Sequence, residues 1–188
     1  SQGKLVLRLK GGDASLFSNV LDELQAVKKN EIPYEIIPGI SAAFGAAAYT
    51  GIPLTARGFS KGVRFLTLCD LNAVKQEQWK DWAKTEDTLV FYMSGQRLNF
   101  LAEQLLDEHI NLKRSLAVIQ QATTPNQKTA VFSFEDIQTK SLPEFEFVPT
   151  LLIIGEVVNL HHQFSWFTEK NTTESYFDNH KNIYQNAI

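Results

Sequence analysis

Lys4-Leu5-Val6-Leu7-Arg8-Leu9-Lys10-Gly11-Gly12-Asp13 is a short apolar run that stops at two glycines and a carboxylate. A buried strand ends at a loop in this way, because apolar side chains belong inside a sheet and glycine lets the chain turn. The spacing then changes. Across residues 15–29, Leu16, Val20, Leu21, Leu24 and Val27 recur at helical intervals. Residues 34–37 read as a second strand closed by Pro38-Gly39, and residues 41–49 as a helix of small side chains capped by Ser41. Strand, helix, strand, helix with short joints predicts an α/β fold and a parallel sheet.

Outward from this block, the pattern pauses at Gly51-Ile52-Pro53 and the basic stretch 57–64, then begins again. Strands are expected at 63–68, 88–92, 115–120, 129–133 and 151–158. Helices are expected at 79–84, 98–108 and, briefly, 134–139. The predicted organisation is two α/β domains, 1–54 and 58–167, followed by a polar tail, 168–188, read as mobile or as a loosely packed helix. No fixed-period repeat is present. A parallel sheet with only the two strands of residues 1–54 is rarely a domain on its own. The expectation is therefore that the first domain is incomplete, its N-terminal piece lying upstream of Ser1, and that an open strand edge at 4–9 seeks a partner.

Composition narrows the function classes. The 188 residues are 44% hydrophobic and 21% charged, with a net charge of -3, which argues against disorder and fibrous structure. Lys and Arg are scattered, so no basic footprint for nucleic acid exists. The single cysteine, Cys69, excludes a disulfide framework within one chain and reads as a buried, inert thiol. Residues 39–54 are too short and too interrupted to span a membrane, and no signal peptide opens the chain, so a cytoplasmic location is expected.

Several positions can carry chemistry. Gly11-Gly12-Asp13 at a strand end lets a backbone approach a ligand, although the same residues suit a plain turn. Residues 38–43 lead into a helix N-terminus whose free N–H groups and alanines suit a polar ligand, or simply tight packing. Tyr92-Met93-Ser94-Gly95 and Gln121-Ala122-Thr123-Thr124 follow apolar strands, where open sheets place ligand contacts. Arg57, Lys61 and Arg64 form a basic cluster, with Arg8 and Lys10 near the first loop, suited to a polycarboxylate or to solvent. His161-His162 point in different directions on a helix, His109 and His180 lack partners at ligand spacing, and no metal is expected. Neither a nucleophile–base pair nor paired carboxylates can be found. A small-molecule α/β protein without acid–base machinery fits methyl transfer, in which positioning donor and acceptor is the main task.

Taken in order, these segments resemble the uroporphyrinogen-III C-methyltransferases of the tetrapyrrole methylase family. The resemblance runs through residues 7–13, 32–42, 45–55, 88–93, 121–127 and 154–158 to Trp166-Phe167. It implies two α/β domains, usually in a homodimer, with S-adenosylmethionine bound between them as methyl donor and a tetrapyrrole as acceptor, in sirohaem and cobalamin precursor synthesis. By position, Gly11, Gly12, Asp13 and Leu16 match the first donor loop retained here. Ser41, Ala42, Met93 and Ala122 match further donor contacts, and Arg57 and Asp22 match substrate contacts. The family's opening glycine-rich loop and its usual proton acceptor and donor lie upstream, so the catalytic residues are unknown and the chain alone is expected to be inactive. Departures cluster at the substrate side: Ala14 replaces a proline, Ser18-Asn19-Val20-Leu21 replaces Gly-Arg-Gly-Gly, Ala56 replaces a histidine, and Leu68-Cys69 replaces Gly-His. They motivate two alternatives: a non-catalytic relative that binds donor or tetrapyrrole, and a methylase acting on another corrinoid precursor.

Overall fold

A computed structural model describes residues 3–68, 73–145, 148–172 and 174–177. Cys69, His180 and the tail beyond 177 lie outside the described residues. The fold is mixed α/β, and the chain divides into two compact units, Ser1–Phe44 and Gly45–Ile188.

In the first unit, helix α1 (Val20–Lys29) carries Asp22 and Glu23 in its first turn and Lys28 and Lys29 in its last, both complementing the helix dipole. It starts later than the periodicity predicts, because Phe17 and Asn19 adopt left-handed conformations that no helix interior accepts. None of its residues is buried. Residues 4–9 and 34–37 were expected as strands and are not: among the described residues of this unit no β-ladder forms. A strand exists only where a neighbour accepts its hydrogen bonds, and here Leu5, Val6, Leu7 and Leu9 all stand exposed. Helix α2 (Ala42–Thr50) carries the division between the units.

The second unit is built on a five-stranded sheet ordered β1-β2-β5-β3-β4, from β1 (Val63–Thr67), β2 (Thr88–Tyr92), β3 (Ser115–Gln120), β4 (Lys128–Ser133) and β5 (Thr150–Gly155). Only β1 and β2 pair in parallel; β5 inserts antiparallel between β2 and β3, and β4 closes the far edge antiparallel to β3. A wholly parallel sheet is thereby ruled out. The strands β2, β3 and β5 are almost continuously buried, as befits a sheet covered on both faces. On one face lie α3 (Gln76–Lys84) and α4 (Leu98–Asp107), which bury Trp79, Trp82 and Ala83, and Leu98, Leu101, Ala102 and Leu105, at helical spacing. Trp82 meets Trp79 and Phe91 edge-on, at 5.0 and 5.4 Å between centroids. Short helices α5 (Phe134–Ile137) and α6 (His161–Phe164) complete the unit.

One buried cation fixes the base of this sheet. Arg114, 3% exposed, donates to the carbonyls of Trp82, Thr85, Asp87 and Ile154 at 3.0–3.4 Å, and burial pushes its guanidinium down to about 10. For the polar tail, the helix alternative is not what the described residues adopt. They hydrogen-bond to residues 121–129.

Candidate functional site

In the first unit, the structure brings together the two glycine-bearing loops. A Cβ placed on Gly39 would lie 2.2 Å from the Gly12 carbonyl oxygen, so this close approach requires glycine. Gly12 itself has φ +71, the left-handed turn that glycine adopts without strain, and Ile40 and Ser41 lie beside it. Asp13 is the strut between the loops. Its Oδ2 accepts the Gly39 N–H at 2.9 Å, while its Oδ1 accepts the Ser15 N–H at 2.8 Å and the Ser15 hydroxyl. These bonds, the Ser15 hydroxyl first, hold its carboxyl down to about 2. The Leu16 N–H closes the turn on the Asp13 carbonyl. Gly11 has no neighbour within 4 Å of a would-be Cβ, which leaves its backbone open to a ligand. Ser41 is buried, and Ala42 is the first residue of α2.

In the second unit, the strand directions put the carboxyl ends of β1, β2 and β3 on one edge of the sheet, with the amino ends of β4 and β5. Met93 and Ala122 therefore belong to loops at the same edge, as an open sheet arranges its ligand contacts. Ser94 ties two strand ends: its hydroxyl donates to the Tyr92 carbonyl at 2.7 Å and accepts the Leu68 N–H at 3.3 Å. Gly95 packs against Thr150, and the Gln121 N–H donates to the Pro149 carbonyl at 2.8 Å. Three non-glycine residues here are left-handed: Met93 (φ 53), Gln121 (φ 49) and Thr123 (φ 68). Each such residue costs about 1–3 kcal/mol, and such strain gathers where a loop must present its backbone in one way. Gly45 of α2 approaches this edge so closely that a Cβ would lie 2.8 Å from Thr123 Cγ2.

The expected substrate contacts fall elsewhere. Asp22 is exposed on α1 and accepts a hydrogen bond from the Asn19 amide at 3.0 Å. Arg57 is exposed in a tight turn closed by the Ala56–Ser60 bridge. The basic cluster proposed around it does not hold together. Arg64 is bound to Asp87 (2.7 Å), Asp81 and the Thr85 hydroxyl, and in the first unit Arg8 and Lys10 both pair with Glu23. These cations are directed at carboxylates of the chain itself, not gathered around Arg57.

His161 donates from Nδ1 to the Thr50 carbonyl at 2.6 Å, and the Trp166 indole donates to the Ala48 carbonyl at 2.7 Å, both fastening the end of α2. Among the described residues, no group of three or more His, Cys, Asp or Glu could hold a metal, and no helix is long and apolar enough to cross a membrane. Sequence reasoning missed Arg114, the left-handed backbone at Gln121 and Thr123, and the tail's attachment. Only the Lys113-Arg114 pair ahead of an apolar strand offered any signal.

A model of the Tetrapyrrole (Corrin/Porphyrin) Methylases matches residues 1–138. Among curated proteins, the chain is 36% identical over 174 residues to a siroheme synthase of Psychrobacter cryohalolentis, covering 93% of the chain and 33% of that protein. It is 40% identical over 166 residues to one of Pseudomonas fluorescens, covering 88% and 36%. The chain thus spans about a third of the length of these relatives. Among solved structures, it resembles the uroporphyrin-III C-methyl transferase of Thermus thermophilus complexed with S-adenyl homocysteine, with TM-score 0.67, 26% identity, and coverage of 82% of this chain and 67% of that one. A cobalt precorrin-4 methyltransferase, at TM-score 0.66 and 19% identity over 78% of this chain and 62% of that one, shares the fold.

Proposed function

The chain belongs to the tetrapyrrole (corrin/porphyrin) methylases, and from that premise we propose that it binds S-adenosylmethionine and serves C-methylation of a cyclic tetrapyrrole. The acceptor in this reading is uroporphyrinogen III and the product precorrin-2, within sirohaem and cobalamin precursor synthesis. What carries it is the likeness to siroheme synthases over about nine-tenths of the chain, together with a solved neighbour holding S-adenyl homocysteine.

The residues fit such a donor. Gly11 and Gly12 offer backbone without side-chain obstruction, and Asp13 holds the loop of Gly39 and Ser41 against them. Met93 and Ala122 present the carboxyl edge of the sheet, with Leu16, Ser41 and Ala42 completing the proposed donor contacts. Bound donor would supply a methyl group already activated on sulfonium. The task of these residues is to orient it and exclude water. Arg57, exposed and outside the ion pairs that occupy Arg64, is the proposed contact for acceptor carboxylates, with Asp22 as a second substrate contact. No catalytic acid or base is assigned. The reading retains two α/β domains, 1–54 and 58–167, and a cytoplasmic homodimer without metal, nucleic acid or membrane partner.

A protein carrying this chain should move labelled methyl from S-adenosylmethionine to uroporphyrinogen III and yield precorrin-2. Label incorporated into other precorrins, with uroporphyrinogen III inert, would replace the acceptor. The departure at Ser18-Asn19-Val20-Leu21, where Asn19 is left-handed, favours one second reading: a non-catalytic relative that binds donor and transfers nothing. Any precorrin-2 formation eliminates it.

A further inference from the structure

The tail beyond Phe167 lies outside the match to the family model, yet its described residues are attached to one place. Strand β4 is an edge strand, and an edge leaves N–H groups without ladder partners. The tail meets it there. Glu169 Oε1 accepts the Thr129 N–H at 2.5 Å, and the Lys128 ammonium donates to the Lys170 carbonyl. Farther along, the Asn126 amide donates to the Glu174 carbonyl at 3.1 Å, and the Tyr176 N–H donates to Gln121 Oε1 at 2.6 Å.

Gln121 is the consequential end of this chain of contacts. It is 1% exposed, left-handed, and directly precedes Ala122. Its amide orientation is set by Tyr176, since only the carbonyl oxygen can accept an N–H. Its Nε2 has no partner among the described residues, so nothing else in the loop fixes that side chain by hydrogen bonding. The loop keeps two strained residues, Gln121 and Thr123, and strained backbone persists only when its surroundings over-determine it.

We propose that residues 169–172 and 174–176 strap the loop 121–127 in place for the methyl donor, with Glu169 and the Tyr176 main chain as positioning residues. The proposal rests on the donor-binding reading above. It also makes the tail a determinant of donor affinity in this chain, although no tail residue is assigned a donor contact.

The test compares the full chain with the double variant Glu169→Ala, Tyr176→Pro, which removes one acceptor and one N–H. The conservative pair Glu169→Gln, Tyr176→Phe retains both. Two quantities are read: hydrogen exchange at the Thr123 and Gln127 amides, whose bonds lie within the loop, and the Kd for S-adenosylhomocysteine. The double variant should lose about tenfold in protection at those amides and bind about tenfold more weakly, and the conservative pair should match the parent. Parent binding with an unchanged Kd in the double variant overturns the strap and leaves the donor reading intact. Absence of binding by the parent overturns the donor reading. Exchange then decides the strap alone: lost protection supports it, and unchanged protection overturns it.

Discussion

Residues 4–9 and β3, residues 115–120, are apolar runs of equal length with opposite outcomes. Leu116, Val118 and Ile119 are at most 1% exposed between two neighbouring strands, whereas Leu5 is fully exposed and Leu7 and Leu9 are more than 70% exposed. The difference teaches that a strand is a property of a pair. An apolar run proposes it, and partners with a matching register decide it. The first unit is ordered by local polar links instead, Asp13 between its two glycine loops and Glu23 beneath Arg8 and Lys10.

The largest effect should separate the two units by stability. Phe91→Ala, at a fully buried position edge-on to Trp82, should cost about 3–5 kcal/mol in urea unfolding. Leu5→Ala should change stability by less than about 0.5 kcal/mol. A comparable loss at Leu5 would show that the first unit has a packed core after all.

Next in size is Arg114→Met, which keeps an unbranched side chain but leaves the carbonyls of Trp82, Thr85 and Asp87 without the guanidinium donor. A loss of about 2–4 kcal/mol is expected from the same measurement. A neutral result would mean that water replaces the guanidinium there.

The loop in the first unit should respond more modestly. Asp13→Ala frees the Gly39 and Ser15 N–H groups and should weaken S-adenosylhomocysteine binding about tenfold, with little change in global unfolding. The strut also has a pH signature. Its folded pKa, about 2, lies below the ordinary 3.8, so its contribution is complete above 3.8 and fades as pH falls through about 2. The Gly39 amide shift in NMR should titrate near the lower value; a midpoint near 3.8 would remove the strut.

Arg57→Ala should be the smallest perturbation of the fold, within about 0.5 kcal/mol, because its turn is closed by backbone bonds between Ala56 and Ser60. Weakened binding of a porphyrin octacarboxylate by this variant, against no change for Lys61→Ala, would sharpen its proposed role.

Much of the second unit was legible because its strands are short apolar runs bounded by turn residues. The strands 88–92 and 115–120 fall where the pattern puts them, and α4 ends within one residue of expectation. The antiparallel insertion of β5 was not legible, since pairing partners are distant in sequence and periodicity carries no direction. The first loop was visible as Gly-Gly-Asp, but the strut to Gly39 depends on a contact 26 residues away. Arg64 looked like a free cation because its neighbours in sequence say nothing of Asp81 and Asp87. The tail read as mobile or as a loosely packed helix because its bonds are to main chain and amides, which leave no apolar period.

The most direct test of the account is a calorimetric titration of S-adenosylhomocysteine into the 188-residue chain. The account predicts saturable binding at one site per chain, weakened by Asp13→Ala. Heats that never saturate, or binding indifferent to Asp13, would contradict the assignment of these loops as the donor site.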